Sequence, residues 1–224
     1  MLIIFRWWYF LGVGGLFATG FGAVELRHAL ANSGEPVAIE LADLEAGVTP
    51  AQPFVRIGAH LALYPHLAFE TRQRRGGSTV PDGKITKSCY PIVSAGHAYL
   101  QAWERVSERY PTEDIPDAEV PKLAGVRVFV FDTRWTERTQ LPTAFTRGDM
   151  IEGILTPVPD LRPDERELLT LAADGRVDST TYLLEAGRRP RSVATCVQYL
   201  AVGLGLLAVA VWRFFRKPST VGAN

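Results

Sequence analysis

Two long runs of this chain carry no charge, and the stretch between them is cut by Pro, Gly and charged residues into short apolar pieces. The first run is Trp7 to Val24 (WWYFLGVGGLFATGFGAV) and the second is Ser192 to Trp212 (SVATCVQYLAVGLGLLAVAVW). At about 1.5 Å rise per residue, the shorter of them reaches about 27 Å as a helix, close to the ~30 Å hydrocarbon core of a bilayer. Trp7, Trp8 and Tyr9 open the first run, at the level where amphipathic rings prefer the headgroups. Arg188, Arg189 and Arg191 precede the second, and Arg213, Arg216 and Lys217 follow it. The pattern predicts an N-terminal transmembrane helix over 1–24, an extramembrane domain over 25–191, a C-terminal transmembrane helix over 192–212 and a short basic tail over 213–224. A cleaved signal peptide would show a stronger basic start than Arg6 alone and a small-x-small site before Val24, so a retained anchor is expected.

Both runs place small residues at helical spacing: Gly14, Ala18 and Gly22 in the first, Ala201 and Gly205 in the second. Such faces let helix backbones approach closely where lipid offers no hydrophobic drive for association. They predict either a pair within one chain or a homodimer. Counted from Val24 and Ser192, an antiparallel pair sets Ala18 level with Gln198 and Gly14 near Ala201.

The middle reads as β-rich. Phe54 to Leu63 alternates as a strand, Tyr64-Pro65 suggests a turn, and His66 to Thr71 runs back, which predicts a hairpin. Thr86 to Ser94 and His97 to Trp103 form a second expected strand pair around Ala95-Gly96. Val126 to Asp132, rich in β-branched and aromatic residues, is the clearest strand; Met150 to Leu155 and Val177 to Glu185 complete the set. One helix opens at Pro163 with acidic residues in its first turn and stops before Gly175. Val37 to Gly47 suits a strand followed by a helical turn. The expected fold is a mainly β (α+β) domain, an antiparallel sandwich or partly open barrel with one or two short helices, flanked by two transmembrane helices. Residues 72–87 read as a polar hairpin tip, and 110–121 as an acidic, Pro-rich connection.

Charge refines this picture. All 24 acidic residues lie between Glu25 and Glu185, while four of the 24 basic ones lie outside 25–191. Purely basic ends around a net acidic middle predict tails in the cytoplasm and the domain outside it. No basic face points to nucleic acid. Arg outnumbers Lys 20 to 4, a bias that suits a GC-rich bacterial genome and hence an inner-membrane location.

Candidate chemistry is sparse. No Walker A, Gly-x-Gly-x-x-Gly or Gly-x-Ser-x-Gly motif occurs. Cys89 and Cys196 sit in the domain and in a membrane run, so they are not expected to pair. His60, His66, Cys89 and His97 are the only set that could supply zinc ligands, but they lack the close spacing of zinc patterns, and no metal or cofactor is expected. Cys89 with His97 is the one nucleophile–base combination on offer. Asp132 and Glu152 are candidates for paired carboxylates. Trp103 and Trp135, with the Arg72, Arg74 and Arg75 tip, are candidate contacts with a protein partner or with anionic lipid. The order helix, β domain, helix resembles in layout the two-span cytochrome-oxidase assembly factors and the membrane-embedded ligases bearing a GIDE domain. No motif of either maps onto these residues, so no roles carry over. The expected function is non-catalytic: a two-pass membrane protein whose domain binds or positions a partner, with membrane lipid and a protein partner or second copy as its contacts. The alternatives are a membrane-anchored hydrolase or metal-dependent enzyme using the Cys89/His97 region, and a lipid or small-ligand binding domain.

Overall fold

The computed structural model describes residues 2–32, 34–72, 84–111 and 115–215. Contacts divide the chain into two units, 1–34 with 190–224, and 35–189. The first unit holds helices α1 (Leu2–Leu30) and α5 (Val193–Phe215). Both contain a stretch long and apolar enough to cross a membrane, Tyr9–Arg27 and Val193–Phe215.

These helices pack along a seam of small residues. Gly15, Gly22 and Ala29 are buried on α1, and Cys196 and Gly203 on α5. The repeat of seven keeps each set on one face. Large side chains point the other way, with Phe10, Phe17 and Leu16 at 64%, 75% and 63% exposure. A Cβ on Gly203 would stand 2.6 Å from the Thr19 amide nitrogen and 3.0 Å from the Gly15 carbonyl oxygen, so only glycine permits this approach. Gly22 faces Tyr199 and Leu200, Gly15 faces Gly203 and Leu207, and Gly12 faces Ala210, which makes the pair antiparallel. The seam differs from the sequence expectation. Gly22 lies in it, but Gly14 and Gly205 have nothing within 4 Å of an added Cβ, Ala201 is exposed, and Ala18 only borders the contact. The register is also offset by six residues, because α1 continues through Leu30 instead of ending at Val24. At the Leu30 end of α1, Arg191 reaches buried Glu25 at 3.8 Å and stacks on the rings of Phe21 and Tyr199 at 5.1 and 5.5 Å.

The second unit contains β1 (Val37–Ile39), α2 (Leu41–Ala46), β2 (Phe54–Ile57), β3 (His60–Leu63), β4 (Ala68–Arg72), β5 (Lys84–Val93) and α3 (Ala98–Arg109). It continues with β6 (Val128–Asp132), β7 (Phe145–Gly148), β8 (Ile151–Pro157), α4 (Pro163–Ala172) and β9 (Tyr182–Ala186). The strands form one curled, half-barrel sheet in the order β1-β2-β8-β9-β6-β5-β3-β7, with β4 also on β5. Of the two expected forms it follows the partly open barrel and not the sandwich, and it is mixed where an antiparallel sheet was expected, since β1 and β2 run parallel, as do β6 and β9.

Strand β5 organises the sheet. One edge pairs with β6 from Ser88 to Ile92, and the other takes β4 through Cys89 and then β3 from Ile92. Pro91 sits at this change of partner, the kind of break in a ladder where a residue without an N–H is tolerated. The expected hairpin between 54–63 and 66–71 therefore does not form. The first segment splits at Gly58-Ala59 into β2, which pairs β8, and β3, which pairs β5 and β7. His97 to Trp103, expected as a strand, is the start of α3. Tyr99, Leu100 and Trp103 recur at helical spacing and pack on the sheet, while His97 caps the N-terminus by accepting the Tyr99 N–H. The 72–87 hairpin tip and the 110–121 connection fall partly outside the described residues.

Alternating side chains on β5, β6 and β9 feed two cores. Cys89, Val93, Phe129, Phe131 and Leu183 pack under α3 and α4, and Tyr90, Ile92, Val128, Val130 and Leu184 pack with α2 on the opposite face. Gly153 in β8 is set by the sheet itself, because a Cβ there would collide with the Glu185 carbonyl of β9.

Candidate functional site

The four candidate ligands each hold a place in the fold. His60 Nδ1 donates to the Gly58 carbonyl at 2.9 Å, and the ring lies over Gly148, where a Cβ would meet Nε2 at 2.5 Å. Cys89 is fully buried among the aliphatic residues under α3 and α4, and burial pushes its thiol well above the ordinary value. His97 uses both ring nitrogens: Nδ1 accepts from the Tyr99 amide at 3.1 Å, which leaves Nε2–H to donate to the Gly125 carbonyl at 3.3 Å. It has no lone pair left to deprotonate a thiol, and Cys89 is neither exposed nor acidified. Cys89 and His97 are therefore not arranged as a nucleophile and its base. Among the described residues, no group of three or more His, Cys, Asp or Glu is placed to hold a metal.

His66 makes the most organised contact of the four. Tyr99, 3% exposed, meets His66 Nε2 at 2.6 Å through its hydroxyl, and Asp174 stands 3.7 Å from Nδ1. Asp174 holds a left-handed backbone (φ 49) in the turn after α4, which brings its carboxylate to the ring. Burial lowers the His66 pKa below the ordinary 6.5, and the Asp174 charge only partly opposes this. A histidine whose folded pKa lies below its unfolded value binds a proton less readily when folded. Its stabilising contribution is therefore present above pH 6.5 and is lost as pH falls through the folded pKa. Urea midpoints of the detergent-solubilised protein are expected to fall as pH is lowered from 7.5 into this window. In His66→Gln that part of the slope should disappear, and an unchanged slope would remove His66 from the account.

The carboxylates Asp132 and Glu152 serve separate ion pairs. Asp132, 3% exposed, receives the Arg134 side-chain and backbone N–H groups at 2.7 and 2.9 Å. Hydrogen bonding to Asp132 raises the Arg134 pKa. Glu152 accepts from Arg56 at 2.6 Å and lies 3.6 Å from Arg189. Arg134 also covers Trp135, whose ring packs on Tyr64 and Tyr90 at 5.6 and 5.8 Å. Burial, first of all, raises the Tyr90 pKa, so this cluster is a neutral aromatic wall closed by one salt bridge.

A different surface emerges beside Trp103. Phe145 of β7 lies across Trp103 and Tyr99, with ring centroids 6.0 and 6.5 Å apart. It remains 36% exposed. The Trp103 indole nitrogen is buried beside Tyr99. Next to these rings Ala59, His60, Leu61, Ala95, Leu100 and Arg147 line a cleft of about 250 Å³. β7 ends the sheet order, and its first three residues are exposed. Sequence reading found Trp103 but missed Phe145 and Arg147. Four residues bounded by Ala144 and Asp149 are too short to show a period, and pairing with β3 is what makes them a strand. Of the Arg72, Arg74 and Arg75 tip, only the Arg72 backbone, at the end of β4, is within the described residues. No family model, curated protein or solved structure matches this chain.

Proposed function

We propose that this is a two-pass integral membrane protein whose β-rich domain binds and positions a protein partner at the membrane without catalysing a reaction. The observation that carries the membrane reading is the inverted packing of α1 and α5. Among the described residues, 17 of the 21 large apolar side chains exposed to solvent belong to these two helices, while glycines fill the seam between them. Water would penalise that surface by about 25 cal/mol for each Å², and a bilayer removes the cost. The seam also supports retention of α1, since a cleaved leader has no need of a fitted partner. The binding reading draws on the domain surface, where the histidines and Cys89 are committed to the fold and an edge strand with aromatic neighbours is open. The net acidic middle and basic ends support a domain outside the cytoplasm, across a bacterial inner membrane.

Alkaline carbonate extraction of membranes from expressing cells tests this. The chain is expected to stay in the pellet and to enter solution only with detergent. In sealed right-side-out vesicles, added protease should remove the domain and spare the helices. Release by carbonate would end the membrane reading, and protection of the whole chain would reverse the orientation.

A further inference from the structure

We propose that α3 is a flap released by acid, held on the sheet at Tyr99 by two histidine lone pairs that protonation removes. Tyr99 is the one buried residue among the twelve of α3, while Leu100 and Trp103 are partly buried against the core. The docking of the helix therefore depends strongly on one side chain. Both polar hydrogens of Tyr99 meet imidazole nitrogens. Its backbone N–H donates to His97 Nδ1 at 3.1 Å, and its hydroxyl lies 2.6 Å from His66 Nε2. Asp174, 3.7 Å from His66 Nδ1, favours the tautomer with a proton on that nitrogen, which leaves a lone pair on Nε2. Burial raises the Tyr99 pKa, and the Trp103 indole N–H, donating to the same oxygen, partly offsets this. With its oxygen accepting from Trp103, the hydroxyl turns its hydrogen to His66. At the other ring, Nε2–H of His97 donates to the Gly125 carbonyl at 3.3 Å, so the lone pair is on Nδ1.

A protonated imidazole carries a hydrogen on each nitrogen and accepts nothing. On His66 this takes away the acceptor of the Tyr99 hydroxyl. On His97 it takes away the acceptor of the Tyr99 N–H and sets a positive charge at the N-terminus of α3, where the helix dipole opposes it. Each event strands a donor of a buried residue, and undocking returns that donor to water. Other charged groups stand nearby. Asp174 faces His66 from the turn after α4, Glu45 of α2 accepts from the Ser94 N–H just before His97, and His60 and Arg147 line the cleft along Leu100. The Asp174 charge favours an imidazolium at His66, but burial outweighs it and the His66 pKa lies below the ordinary 6.5. The folded state therefore resists protonation at His66, and lower pH favours release. Release can stay local because the sheet has a second core on its opposite face, where Tyr90, Val128 and Leu184 pack with α2 and without α3. The helix can leave while the strands remain paired, which turns a buried apolar face into an exposed one in acid.

Hydrogen exchange of the intact chain in detergent tests this between about pH 7.5 and 5.5, the range in which histidine titrates. Exchange is read by mass spectrometry and divided by the intrinsic rate at each pH. In α3 it is expected to rise as pH falls, by at most about tenfold per pH unit for each proton taken up. Peptides from β6 should stay protected throughout. His66→Gln keeps a side-chain acceptor for the Tyr99 hydroxyl, His97→Asn keeps a favoured N-cap, and neither new side chain titrates. Each substitution should remove part of the rise, and the double variant should remove all of it. Should His66→Gln not fold, His97→Asn must still reduce the rise. Exchange in α3 that does not depend on pH, a rise shared by β6, or a double variant with the wild-type profile overturns the proposal.

Discussion

Cysteines introduced at Gly12 and Ala210 are expected to close a disulfide within one chain, in a background where Cys89 and Cys196 are replaced by Ala. A Cβ at Gly12 lies 3.8 Å from the Ala210 Cβ, which is the mean separation in natural disulfides, about 3.8 Å. Cysteines at Ala18 and Gln198, the pair level in the register read from the sequence, should not close one, since α1 runs six residues further than that register assumed. Gly203→Leu should abolish the Gly12–Ala210 bond. Its side chain would have to occupy the space of the Thr19 backbone and the Gly15 carbonyl, and overpacking of this kind costs about 1–3 kcal/mol. Against membrane helix contacts that contribute about 0.6–2 kcal/mol each, the helices should separate. Non-reducing electrophoresis with protease cleavage of the domain reads the result directly. Bonds found only between chains would refute the intrachain seam.

Phe129→Ala is expected to have the largest effect on the domain. Phe129 is central in β6, flanked by β5 and β9, and is 1% exposed under α3 and α4. Removing such a ring from a packed core costs about 3–5 kcal/mol, a large part of the ~5–15 kcal/mol that holds a domain folded. Val48→Ala, at a side chain 50% exposed, serves as the control and should shift the midpoint little. Urea unfolding in detergent, followed by tryptophan fluorescence, measures both. If the two variants unfold together, the core is not centred on β6.

What could be read from the residues alone was what depends on neighbours in sequence. Two uncharged runs dictate two apolar helices whatever the rest of the chain does, because backbone bonds within a helix are local and composition decides its surface. The β6 strand and the α4 helix opening at Pro163 were legible for the same reason. Pairing was not. β2 and β3 read as one strand, yet they pair with different partners, and β4 joins β5 instead of returning on β3. Strand partners are chosen by burial across the whole sheet, and an alternating pattern states only that a partner exists. α3 was misread because its apolar face is narrow and becomes evident only when Tyr99, Leu100 and Trp103 meet the sheet. Likewise the helix seam passes through Gly15 and Gly203, not Gly14 and Gly205, since adjacent glycines differ in face but not in composition. The surface beside Trp103 is decided still later. Phe145 and Arg147 acquire their common face from the β3 register, and Trp103 stands opposite them only because α3 lies across the sheet. Local sequence determined the elements and their apolar faces; the tertiary structure decided their partners, because that choice minimises the free energy of all the faces together.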